Sequence, residues 1–210
     1  MALTPGPRDV LIVVDVQNDF LPGGSLAVAD GNEIIAPIER LARRFSNILM
    51  TQDWHPADHI SFASNHPGKT PFETIELDYG TQVLWPDHCV IGTEGAAFAP
   101  SLNLPCAQMI IRKGFHSDVD SYSGFREADR QTSTGLAGYL RERDFDRVFV
   151  VGLATDFCVG WTALDAREAG FEAIVVEDAC RAIDAGGSLA KAWADMSAAG
   201  VGRTTLAEIR

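Results

Sequence analysis

Residues 147–170, RVFVVGLATDFCVGWTALDAREAG, decide how this chain is to be read. The first part, RVFVVGLA, is an apolar, β-branched run of strand length. The second part, CVGWTALDAREAG, has the pattern of a short helix and closes on Gly170, a natural C-cap. A strand that hands over directly to a helix is the repeating unit of a parallel sheet, because the helix carries the chain back to begin the next strand. Working outward, the same unit recurs. DVLIVVDV (9–16), SNILMTQD (46–53), AQMIIRKG (107–114) and FEAIVVED (171–178) read as further strands, and VGRTTLAEI (201–209) as a weaker one. These runs are apolar on both faces, as strands covered by helices on both sides should be. Between them GNEIIAPIERLARRF (31–45), TGLAGYLRERD (134–144) and AGGSLAKAWADMSAAG (185–200) carry helical patterns. The expectation is an α/β fold with a parallel sheet.

The chain has 210 residues, which suits one domain spanning 1–210. The stretch 54–105 breaks the alternation and is rich in Pro, Gly, His and aromatic residues. An irregular segment of that length inside a compact domain is usually functional. The formal net charge of -12 argues against nucleic acid and against anionic membrane surfaces, whose phosphates would repel it. MALTPGPRDV has no apolar core of a signal peptide, and no apolar run approaches a membrane span. Cys89, Cys106, Cys158 and Cys180 form no CxxC pair, so free thiols in a reducing cytoplasm are expected.

Open parallel sheets bind ligands beyond the carboxyl ends of their strands. The first strand ends at Asp15, the second at Asp53 with His55 after it, the third at Lys113, and the fourth leads to Cys158. Cys158 would sit in the first turn of a helix, where free N–H groups and the helix dipole favour a thiolate, and Lys113 would lower its pKa further. Asp15 can take the thiol proton and return it to a leaving amine. The other three cysteines read as packing. Asp53 and His55, two apart in an extended segment, face the same way, and His88 would complete a set suited to Zn, Fe or Mn. His59 is either a fourth ligand or a support for the others. His66 and His116 have no partner legible in the sequence and are expected to be exposed. The N–H groups of Ala154 and Cys158, at the turn after the fourth strand, suit an oxyanion. No GxGxxG follows the first strand and no P-loop ending is present, so a nucleotide site is not expected.

VDVQNDFLPGGSLAV (14–28), TQDWHPADHISFA (51–63), LWPDHCVIGTEGAAF (84–98), RKG (112–114), YSGF (122–125) and GLATDFCV (152–159) appear in that order. Together they resemble the nicotinamidase/pyrazinamidase family of the isochorismatase-like hydrolases, from about Val10 to the last strand. The resemblance implies a Rossmann-like three-layer sandwich, with a parallel sheet of about six strands flanked by helices. It implies a triad of Asp15, Lys113 and Cys158, one divalent metal per subunit on Asp53, His55 and His88, and a pocket walled by Phe20, Trp85 and Tyr122. It also implies a cis peptide between Leu153 and Ala154, hydrolysis of nicotinamide, and a homo-oligomer, dimer or larger. Phe157 stands where relatives often carry His or Tyr. The readings that compete are a related amidase for another small amide, a metal-dependent oxygenase built on two His and one carboxylate, and a nicotinamide-binding protein without turnover.

Overall fold

A computed structural model of the chain describes residues 3–210. Numbered along the chain, the strands are β1 (Asp9–Val14), β2 (Ile48–Asp53), β3 (Thr74–Leu77), β4 (Gly80–Val83), β5 (Met109–Lys113), β6 (Arg147–Leu153), β7 (Glu172–Arg181) and β8 (Gly202–Thr204). The α-helices are α1 (Ile35–Ala42), α2 (Leu136–Glu142), α3 (Gly160–Glu168) and α4 (Ser188–Ala198). Six strands form one sheet in the order β5-β2-β1-β6-β7-β8, and every neighbouring pair is parallel. Counting only these six, the order is the doubly wound one, with the reversal between β1 and β6. The α/β expectation and its six strands are therefore met.

The central strands are the apolar runs of the sequence. All six residues of β1 and all six of β2 are buried, because strands lie on both sides of each and helices cover the sheet. Their side chains join Phe149, Ile34, Ile38, Leu41 and Leu136 in a continuous core. Where β6 passes β1 most closely, Gly152 has φ 119°, and a Cβ there would lie 2.1 Å from the Val14 carbonyl oxygen. Only glycine fits that crossing.

Several expectations need correction. The run around Met109–Lys113 is not covered on both faces: it is an edge strand, and Ile110 is 51% exposed. The pattern over 31–45 resolves into a 3-10 turn, Gly31–Ile34, followed by α1. Pro37 has no N–H to give a preceding turn and so belongs near a helix start. The stretch 54–105 is not wholly irregular, since it contains the antiparallel hairpin β3–β4. Of the cysteines read as packing, Cys89 and Cys180 are buried but Cys106 is exposed. No helix among the described residues is long and apolar enough to cross a membrane.

Candidate active site

The strand ends named in the sequence converge beside the β1–β6 reversal. Asp15 leaves β1 with φ 49° and is fully buried. Its Oδ1 accepts a hydrogen bond from Thr51 Oγ1 on β2 at 2.6 Å, and its Oδ2 lies 3.0 Å from Lys113 Nζ at the end of β5. Lys113 is a hub. Its ammonium donates to Asp53 Oδ1 and to the Ser121 carbonyl (2.8 Å), and it stands 3.4 Å from Cys158 Sγ. Oxygens of Asp15 and Asp53 and the Cys158 sulfur all lie within 4.8 Å of one another. Cys158 sits, as the sequence suggested, in the opening turn of its helical segment, but that turn is not α-helical. It is a π-helical turn, Thr155–Val159, that precedes α3. The Leu153–Ala154 peptide is cis.

Burial raises the Asp15 carboxyl from 3.8 to about 6, against the pull of the Lys113 ammonium. Burial works against the Lys113 charge, but Asp15 and Asp53 hold its pKa well above the ordinary lysine value. The expected lowering of the Cys158 thiol does not occur. Burial pushes it well above the ordinary thiol value, Lys113 pulls it down, and the charges of Asp15 and Asp53 push it up again. One ammonium shared between two carboxylates is too little to hold a preformed thiolate. Asp15, with a carboxylate oxygen within 4.8 Å of the Cys158 sulfur, is the base at hand for the thiol proton.

Asp53, His55 and His88 offer one carboxylate oxygen and two imidazole nitrogens within 4.8 Å of one another, all buried. His55 Nδ1 is hydrogen-bonded to the Gly114 carbonyl and His88 Nδ1 to the Pro86 carbonyl, each at 2.8 Å. Both Nε2 atoms then face Asp53 Oδ2, at 3.7 and 4.0 Å. Ligands oriented through their second ring nitrogen, beside a free carboxylate oxygen, fit a Zn, Fe or Mn ion. Burial and the neighbouring His55 lower His88 to about 4, leaving it neutral and able to ligate near pH 7. Gly114 makes this possible: a Cβ on it would lie 2.4 Å from His55 Cε1. His59 does not aim at the same point. It stacks on His55 and spends its ring nitrogens on Ser61 Oγ (2.7 Å) and the Val119 carbonyl (3.2 Å). His66 is half-buried and bonded to the Ile60 carbonyl at 2.7 Å. His116 is exposed, as expected, but pairs with Glu127 at 2.9 Å.

Above these groups is a small pocket. Phe20, Trp85, Tyr122, Phe157 and Ala154 line it, together with Cys158, Asp53, His55 and His88. Trp85 Nε1 donates to Tyr122 Oη at 3.0 Å, and Phe157 meets the Trp85 ring edge-on with centroids 4.9 Å apart. Gln17 and Asp19 follow Asp15 at the end of the first strand, but the sequence did not show what they support. The Gln17 amide clamps the backbone of Asp53 with two bonds of 2.8 Å and reaches the Ala96 carbonyl at 2.9 Å. Asp19 Oδ2 accepts from the Cys89 N–H at 2.7 Å, fixing the loop that carries His88. Ile183 also lines the pocket and was not foreseen. No local pattern marks these residues, because their partners are far away along the chain.

A model of the isochorismatase domain matches residues 9–208. The chain belongs to the isochorismatase family. It is 64% identical over 193 residues to a nicotinamidase of Acinetobacter baylyi, covering 92% of this chain and 90% of that one. Among solved structures of the family it resembles an Acinetobacter baumanii nicotinamidase/pyrazinamidase with a TM-score of 0.96 at 62% identity, covering 97% of this chain and 98% of that one. A pyrazinamidase of Pyrococcus horikoshii in complex with zinc aligns with a TM-score of 0.78 at 37% identity, covering 95% and 99%.

Proposed function

We propose that this protein is a nicotinamidase, hydrolysing nicotinamide to nicotinate and ammonia and acting likewise on pyrazinamide. The observation that carries the reading is the contact of Lys113 with Asp15, Asp53 and Cys158 beneath an aromatic pocket. The high identity to a nicotinamidase supports it. A metal-dependent oxygenase would have no use for a buried thiol and lysine beside its ligands.

In this reading Cys158 Sγ attacks the carboxamide carbon while Asp15, ionised above about pH 6, takes the thiol proton. The N–H groups of Ala154 and Cys158 hold the oxyanion. Asp15 returns the proton to the departing nitrogen, ammonia leaves, and a thioester to Cys158 remains. Asp15 then takes a proton from a water that attacks the thioester; the C–S bond breaks, nicotinate is released, and Asp15 returns the proton to Cys158 Sγ. Lys113 orients Asp15 and balances its charge. Phe20, Trp85, Tyr122 and Phe157 hold the ring and exclude water. A divalent ion on Asp53, His55 and His88, Zn, Fe or Mn, would supply a Lewis-acid contact for the pyridine nitrogen. The enzyme works in the cytoplasm as a dimer or larger assembly, in line with its four free cysteines and the family resemblance.

The test is ammonia release from nicotinamide by the purified protein. Turnover by wild type and none by folded Cys158→Ala is expected. Nicotinamide binding without ammonia release would replace this reading with that of a sensor.

A further inference from the structure

Asp156 is a buried carboxylate two residues before the nucleophile, and the chemistry above gives it no part. Its neighbours Phe157 and Cys158 line the pocket, but Asp156 does not. It turns toward the segment that joins β7 to α4. There its Oδ1 accepts from the Ile183 N–H at 3.0 Å, and its Oδ2 from the Asp184 N–H at 2.8 Å and Ser188 Oγ at 2.5 Å. That segment is sharply folded: Asp184, Gly186 and Gly187 all have positive φ. Left-handed turns of this kind leave consecutive N–H groups without strand or helix partners, and here one carboxylate gathers them. Ile183, the first residue it holds, is a wall of the pocket.

We infer that Asp156 is a positioning residue that sets the width of the pocket, by fixing the Ile183 wall against the turn that carries Cys158. The occupant it selects is a single-ring aromatic carboxamide; a fused second ring is excluded by Ile183. This inference rests on the proposed amidase reading for its substrate class, though not for its geometry. Replacing the carboxylate by an amide removes one of its accepting oxygens. At least one bond to the Ile183–Ser188 segment is then lost, and the wall is free to withdraw. The fold of the sheet does not depend on that bond, because the segment lies outside every strand.

The experiment compares alkylation of Cys158 by iodoacetamide and by its bulkier N-phenyl analogue, with peptide mapping to separate Cys158 from the exposed Cys106. Asp156→Asn is expected to raise the relative rate of the bulky reagent by about fivefold or more. Ile183→Ala should do the same, and the double variant should add little to either, since both act through one wall. In parallel, kcat/KM for quinoline-3-carboxamide relative to nicotinamide should rise by a similar factor. A folded Asp156→Asn protein with a lower Tm but an unchanged alkylation ratio would assign Asp156 a merely structural role and overturn the inference. If Asp156→Asn does not fold, Ser188→Ala and Ile183→Ala decide the matter, and an unchanged ratio in both overturns it equally. Should no amide be turned over even by wild type, the amidase reading fails, while the alkylation ratio still decides the role of Asp156.

Discussion

At Asp15, burial and a lysine pull in opposite directions and burial wins, leaving a carboxyl that titrates near 6. The direction fixes the sign of the pH profile. Below about 6 Asp15 is protonated and cannot take the thiol proton, so kcat/KM for nicotinamide should fall as pH drops through that value. A profile flat from pH 7 to pH 5 would remove Asp15 from the role of base. Asp15→Asn is expected to lose about 100-fold or more in kcat, the usual contribution of a general base. At Cys158 the balance runs the same way, and the thiol is raised. Its alkylation should therefore rise with pH only above the free-thiol range of about 8.5. Lys113→Ala, which removes the one group pulling downward, should shift that profile higher still. A midpoint near neutrality in wild type would mean a standing thiolate and a different first step.

Two elements show how backbone shape controls the site. β6 must pass β1 closely enough to bring the Cys158 turn over Asp15, and Gly152 permits this by having no Cβ. Gly152→Ala should cost about 2 kcal/mol or more, read by denaturant unfolding, because neither its positive φ nor the Val14 backbone can easily give way. The turn after β5 has a second such position. Gly114→Ala would drive a methyl into the His55 ring, so zinc affinity, measured by competition with a chelating dye, should fall at least about tenfold while the sheet survives. Unchanged affinity would exclude His55 as a ligand. The strands themselves were legible, since an apolar run ending in a charged residue marks a buried strand reaching a sheet edge. The π-helical turn was not. GLATDFCV has nothing in its composition that separates a π turn from the first turn of an α-helix, and that choice follows from how β6, α3 and α4 pack around it.

At the scale of the whole molecule, the pocket is a meeting of distant segments, with Phe20, Trp85, Tyr122 and Cys158 each from a different part of the chain. In the proposed reading the aromatic walls would hold a flat ring but offer nothing to its nitrogen. The Asp53, His55 and His88 set lines the same pocket as Cys158, and in the same reading an ion bound there would meet that nitrogen. Benzamide, which has the shape without the ring nitrogen, should have a kcat/KM lower by about 100-fold or more, because orientation of the reacting carbonyl contributes several kcal/mol. Stripping the metal should reduce nicotinamide turnover far more than benzamide turnover. Comparable kcat/KM for the two amides in the zinc-loaded enzyme would give the ion a purely structural role.

The sequence by itself determined the alternation of strands and helices and the presence of Asp15, Asp53, Lys113 and Cys158 at strand ends. It could do so because burial on both faces leaves a local signature in each strand, and a parallel sheet brings all its carboxyl ends to one edge. The aromatic walls and the cis peptide were legible only through motifs shared with a known family. Tertiary structure alone decided the edge position of β5, the hairpin inside 54–105, and the supports supplied by Gln17, Asp19 and Asp156. It also decided the charge state of Cys158. That state is set by a sum over burial, one ammonium and two carboxylates drawn from three other strand ends. Such a sum depends on distances through space, which neighbours along the chain do not encode.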